Sequence, residues 1–139
     1  MRFESIKITS EELARIYEDF AAIDKALGIP PQAENRKELA AKDDSGNITA
    51  YASGLREHRL FYISDLWVRK DLRRQGIGSR LLLRLEKCAA EQGCDEAYLW
   101  TAGEENALFY IANGYTEFVR FENACGVTGR HRYGLRKKL

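Results

Sequence analysis

Between Asp65 and Ser79 the chain reads DLWVRKDLRRQGIGS, which runs from a strand through a glycine loop into a helix. The chemistry such a stretch offers is the holding of a pyrophosphate. Gly76 and Gly78 let backbone N–H groups approach an anion without intervening side chains, and the following helix presents its positive end to the same point. Arg73 and Arg74 add charge there.

Two phosphate loops of other design fail on single residues. A nucleotide-binding loop of the Walker type needs Lys and then Ser or Thr after its last glycine, whereas Gly78 is followed by Ser79 and Arg80. The dinucleotide fingerprint needs a third glycine where Leu81 stands. What remains is Arg73-x-x-Gly76-x-Gly78 after a strand ending in Leu66-Trp67-Val68, followed at a distance by ALFYIANGY. This combination resembles the GCN5-related N-acetyltransferases, from the core of the motif at Leu60 to Tyr115 outward over nearly the whole chain, with the weakest likeness before Glu38.

The resemblance implies acetyl-CoA as co-substrate and an amine-bearing acceptor. It implies that the pantetheine arm lies along Leu66, Trp67 and Val68 through backbone hydrogen bonds, and that Arg73, Arg74, Gln75, Gly76, Ile77, Gly78 and Ser79 cradle the pyrophosphate. The Trp67 ring is expected in the core or as a pocket wall, with stacking on the substrate as the alternative. Tyr110 matches the family's tyrosine that protonates the departing thiolate, and Tyr115 is expected to pack in the core. Where the family carries an asparagine seven residues before that tyrosine this chain has Gly103, so Asn106 either reaches the cofactor from a shifted turn or caps the helix. For the proton of the acceptor ammonium, Asp65 is the first candidate; the same aspartate could instead cap a bulge or pair with an arginine. Glu57, His58 and His131 are lesser candidates, the histidines being expected in solvent. No metal is required by this chemistry. A non-catalytic acyl-CoA-binding module is the alternative from another class, and a transferase of longer or acidic acyl groups a third reading.

Composition sets outer bounds. At 139 residues the chain fits one domain, residues 1–139, with a core that needs no disulfide. A net charge of +1 argues against nucleic acid or a membrane surface as partner, despite the basic tail RHRYGLRKKL. Cys88, Cys94 and Cys125 show neither a pairing framework nor metal-ligand spacing, and no signal core or spanning run occurs, so a cytoplasmic protein is expected.

The elements that must position these residues follow from periodicity. Phe3 to Ile8 alternates like a strand, and Thr9 with Glu12 offers a capping box for a helix carrying Leu13, Ile16, Tyr17, Phe20, Ile23 and Leu27, stopped by Gly28 and two prolines. KELAAKDD and NITAYASGL flank a turn at Ser45-Gly46, and Leu60 to Val68 forms the next strand. A helix over Ser79–Gln92 places Leu81, Leu82, Leu85, Cys88 and Ala89 on one side. Then come a strand at DEAYLWT, a helix over Glu105–Asn113, and strands at YTEFVRFE and HRYGLRKKL around the loop NACGVTG. A short helix could lie within Ile29–Lys37. The order predicts an α/β fold of the acyl-CoA N-acyltransferase type, a mixed, mostly antiparallel sheet of about seven strands flanked by helices. Acceptor choice is expected to reside in Phe20–Lys37 and the NACGVTG loop, and exposed strand edges make a homodimer plausible.

Overall fold

A computed structural model describes residues 1–32 and 35–139. Two compact units divide the chain, Met1–Ala33 and Glu34–Leu139. The first holds helix α1, Ser10–Ala26. Its start is the expected capping box: the Thr9 hydroxyl accepts from the Glu12 N–H, and the Glu12 carboxylate accepts from the Thr9 N–H. Its end is a Schellman turn, in which Gly28 takes the left-handed conformation (φ 75°) while Gly28 N–H and Ile29 N–H donate to the carbonyls of Lys25 and Asp24. The strand expected over Phe3–Ile8 does not form. Apolar alternation alone does not make a strand without a ladder partner for the backbone, and none of the ladders includes this segment. Of the helix considered over Ile29–Lys37, residues 33 and 34 lie outside the described residues; the rest is irregular chain and the start of a strand.

The second unit is a six-stranded sheet with two α-helices: β1 Arg36–Lys42, β2 Ile48–Glu57, β3 Leu60–Val68, α2 Ile77–Glu91, β4 Glu96–Ala102, α3 Glu104–Ala112, β5 Thr116–Phe121 and β6 Arg132–Lys138. The spatial order is β1-β2-β3-β4-β6-β5, and every neighbouring pair is antiparallel except β3 with β4. This is the mixed, mostly antiparallel α/β sheet expected, with six strands rather than seven because Phe3–Ile8 contributes none.

One face of the sheet packs against α2. Ala50, Ala52, Phe61, Ile63, Ala97, Leu99 and Leu135 join Leu82, Leu85 and Ala89 in a core that excludes nearly all solvent. Along β3 the inward residues change phase. Phe61 and Ile63 face the core at odd positions, whereas Leu66 and Val68 pack against it at even ones. The cause is a β-bulge: Gly54 pairs with Ile63 and Ser53 with Asp65, leaving Ser64 as the extra residue.

Candidate active site

Strands β3 and β4 pair only at Leu60, Phe61 and Tyr62, opposite Glu96, Ala97 and Tyr98. Beyond that point β3 runs on to Val68 with β2 as its one neighbour, and β4 runs on to Ala102 paired with β6. The two strands therefore part, and the side of β3 from Ile63 onward that faced β4 has no ladder among the described residues. Such an opening suits an extended ligand that hydrogen-bonds to backbone. Leu66, Trp67 and Val68 lie along it.

Where β3 ends, the glycine loop begins. A short 3₁₀ turn over Lys70–Leu72 leads to Arg73, whose Nε donates to the Val68 carbonyl at 2.9 Å and anchors the loop to the strand. Arg74 and Gly76 both have positive φ, 60° and 77°, which swings the chain into α2. Gly76 is the N-cap, and no side chain caps the helix. The first main-chain bond of the helix joins Arg80 N–H to the Gly76 carbonyl, so the N–H groups of Ile77, Gly78 and Ser79 precede the helical ladder. Arg74, Gln75 and Gly76 are exposed beside them. Free donors, a helix dipole and two guanidinium groups are what an anion would need at this point. The two glycines do different work: Gly76 is needed for its left-handed backbone, with open space around it, whereas a Cβ at Gly78 would touch Phe109 and Val68 at 3.4 and 3.5 Å.

That last contact links the loop to α3. Phe109 lies against Gly78 and Val68, and Tyr110 follows it with the rings edge-on at 5.1 Å. Burial pushes the Tyr110 phenol up to about 12, so it stays protonated through neutral pH. Its hydroxyl has no hydrogen-bond partner among the described residues. Tyr115, whose ring lies 5.7 Å away, differs: it is 2 % exposed and its hydroxyl donates to Glu86. Its pKa is raised as well, by burial first and then by the Glu86 carboxylate.

Asp65 stands on β3 just past the bulge. One carboxylate oxygen accepts from the hydroxyls of Ser53 at 2.7 Å and Ser64 at 2.9 Å, and Arg36 donates to the same two hydroxyls. These hydrogen bonds, with the Arg36 charge, hold the Asp65 carboxyl below its ordinary range. The carboxylate thus remains ionised. Asn106 donates from Nδ2 to the Ala102 carbonyl at 2.9 Å, tying α3 back to the end of β4. Gly103 is the N-cap of α3, where a Cβ would collide with the Arg130 guanidinium, itself paired with Glu105.

Several side chains fall elsewhere. Trp67 is 42 % exposed and so is not a core residue; the bulge sets the phase of β3 so that Leu66 and Val68 turn inward and Trp67 does not. His58 sits in the turn between β2 and β3 at φ 55°, while Glu57 accepts the Tyr98 hydroxyl. His131 accepts the Asn123 N–H at Nδ1 and holds the NACGVTG loop in shape. Arg36, Ser53 and Ser64 were not expected around Asp65. A signal existed in the β2–β3 turn, since counting back from Glu57 and Leu60 brings Ser53 near Ser64 and Asp65, and only the bulge decides which it faces. Among the described residues no three His, Cys, Asp or Glu side chains are placed to hold a metal, and no helix is long and apolar enough to cross a membrane.

Known proteins share this fold. An acetyltransferase of Bacillus cereus is 25 % identical, each chain covered over 98 %, with a TM-score of 0.78. A protein of Agrobacterium tumefaciens described as an acetyltransferase is 22 % identical over the full length of both chains, with a TM-score of 0.79. An aminoglycoside 6'-N-acetyltransferase solved with coenzyme A is 20 % identical, covering 91 % of this chain and 84 % of its own, with a TM-score of 0.67. No curated protein matches the chain. The family model of the acetyltransferase (GNAT) family matches residues 8–115, which takes in the parted strands, the glycine loop and Tyr110, and the chain belongs to that family.

Proposed function

We propose that the protein is an N-acetyltransferase that moves an acetyl group from acetyl-CoA to a primary amine by direct attack within a ternary complex. The observation that carries the reading is the opening of β3 from β4 beside an uncapped, arginine-flanked helix start. The free side of β3 at Leu66, Trp67 and Val68 suits the amides of pantetheine. Arg73, Arg74, Gln75, Gly76, Ile77, Gly78 and Ser79 suit the pyrophosphate, and Asn106 the neighbouring arm of the same molecule. The family match runs from residue 8 to 115, across the boundary between the two units, which supports treating residues 1–139 as one catalytic domain.

In the reaction the neutral amine nitrogen attacks the thioester carbonyl carbon, a C–N bond forms, and the C–S bond breaks. The thiolate must gain a proton and the nitrogen must lose one. Tyr110, protonated and without a competing partner among the described residues, is the proposed donor to sulfur, and the phenolate it leaves recovers a proton through solvent. Asp65 is the proposed acceptor-side group. Because Ser53 and Ser64 lower its pKa further, it suits holding the incoming ammonium, or a water that takes its proton, better than storing that proton itself.

The test is a panel of amines, from amino sugars and polyamines to peptides with free amino termini or lysine, assayed for free thiol released from acetyl-CoA. Amine-dependent thiol release is expected for at least one class. If none gives thiol above background while acetyl-CoA still raises the melting temperature, the chain is a binding module instead. Competition among acyl-CoA species in the same assay would expose a preference for a longer or acidic acyl group.

A further inference from the structure

A part-buried charge pair outside the site fastens the helix turn that carries Tyr110. Glu86, on the inner side of α2, is 5 % exposed, and its Oε2 accepts from Lys137 Nζ at 2.7 Å. Its Oε1 accepts the Tyr115 hydroxyl at 3.1 Å. Lys137, near the end of β6, also donates to the Asn113 carbonyl at 2.9 Å and lies over the Tyr115 ring, 5.7 Å from its centroid. Asn113 is the C-cap of α3. A helix C-terminus leaves carbonyls without helical donors and carries partial negative charge, and an ammonium there answers both.

The same turn is closed on Tyr110 itself. The N–H groups of Asn113 and Tyr115 both donate to the Tyr110 carbonyl, at 2.9 and 3.1 Å, and Asn113 Nδ2 donates to the Phe109 carbonyl at 2.8 Å. Gly114, at φ 93°, leaves the Lys137 side chain room to pass, since a Cβ there would lie 3.2 Å from its Cε. The path is contiguous: α2 holds β6 through Glu86 and Lys137, and Lys137 holds the last turn of α3, whose backbone bonds end on Tyr110. Neither charge touches the glycine loop's arginines or the Asp65 cluster.

We infer that Glu86 and Lys137 are positioning residues that fix the C-terminal turn of α3, and with it the Tyr110 phenol, relative to α2 and the sheet. The inference rests on the reading of Tyr110 as the acid for its catalytic consequence, but not for the fastening itself. A reacting group held rigidly in place outperforms a loose one, and displacement of about 1 Å costs up to about a hundredfold in rate.

Lys137→Met alone strands a buried carboxylate and could unfold the chain, so the working variant is Glu86→Gln with Lys137→Met. It leaves no unpaired charge and keeps an acceptor for the Tyr115 hydroxyl. Amide hydrogen exchange of the full chain is read over Phe109–Tyr115 against α2 and the sheet, alongside kcat and the KM for acetyl-CoA. Exchange is expected to rise about tenfold in that turn alone, with kcat down about tenfold to a hundredfold and KM unchanged. In a Tyr110→Phe background the same pair of changes should lower kcat no further. Unchanged exchange over Phe109–Tyr115, or an equal loss of kcat in both backgrounds, overturns the inference. If Tyr110→Phe alone keeps wild-type turnover, it is the acid assignment that fails, and the exchange result by itself then decides the fastening.

Discussion

Tyr110 and Tyr115 are ring neighbours, both buried enough to have raised pKa values, yet they should answer differently to the loss of one oxygen. Tyr110→Phe breaks no hydrogen bond within the described residues, so its effect on stability should stay within about 0.5 kcal/mol of zero. Tyr115→Phe removes the donor that Glu86 Oε1 accepts at 3.1 Å, in a site 2 % exposed. A hydrogen bond to a charged group is worth about 1.5–3 kcal/mol, which for a chain of this size lowers the melting temperature by about 5–12 °C. Turnover should move the other way. Loss of a general acid costs about a hundredfold to ten-thousandfold, so Tyr110→Phe should lower kcat by that order with acetyl-CoA affinity retained. Tyr115→Phe leaves the Lys137 bond to Asn113 in place and should keep turnover near wild type. The assay pairs thermal unfolding with initial rates of thiol release, taken well below either melting temperature. Equal destabilisation by the two variants would show that the Tyr110 hydroxyl is bonded in the fold. A loss of turnover confined to Tyr115→Phe would reverse the two roles and refute the assignment.

Other perturbations separate the parts of the site. Gly76→Ala should cost about 1–2 kcal/mol through its left-handed backbone alone, while Gly78→Ala, in a helix with room for a methyl at 3.4 Å from Phe109, should be neutral or stabilise by up to about 1 kcal/mol; thermal unfolding of both checks this. Gly76→Glu should abolish acetyl-CoA binding in a calorimetric titration, and retained affinity would sink the loop assignment. The lowered pKa of Asp65 means its stabilising contribution is present above the ordinary value of 3.8 and is lost as pH falls through the lower folded value. Melting temperatures across acidic pH should therefore fall less steeply below about pH 4 for Asp65→Asn than for the wild type. Identical slopes would mean the serine bonds do not hold in solution.

Much of the fold is written in local pattern. Strand β3 occupies Leu60–Val68 as its run of apolar and aromatic residues predicts, and α1 begins at Thr9 and stops at Gly28 where side-chain and glycine signals sit. These are signals that nearest neighbours in sequence can read. Phe3–Ile8 has the strand pattern without a ladder, because a strand is completed by its partner rather than by itself. The Glu86–Lys137 pair was half legible. Glu86 falls among Leu82, Leu85 and Ala89 on α2's inner side, and Lys137 continues the inward alternation of Tyr133 and Leu135. A charge at a core position in each of two elements is a sign of pairing, but nothing local says that the two elements meet. Cys88, expected on the inner side of α2, is only partly buried, and Glu86 takes that side instead.

By itself the sequence determined the glycine loop, because a left-handed glycine, flanking arginines and a following amphipathic helix are requirements of a backbone turn and an anion, settled within about fifteen residues. It singled out Tyr110 as the candidate acid only through the company of its motif. What tertiary structure alone decided is how these pieces become a site. The parting of β3 from β4 after Tyr62 and Tyr98 is set by how two strands held on their outer sides by β2 and β6 diverge within the sheet. The lowered pKa of Asp65 depends on a bulge that turns Ser64 and Ser53 onto one carboxylate oxygen. The hold on Tyr110 depends on a lysine 27 residues further along the chain meeting a glutamate on another helix. Each of these is a contact between segments far apart in sequence, and such contacts are chosen by packing of the whole sheet and its helices, which no local run of residues encodes.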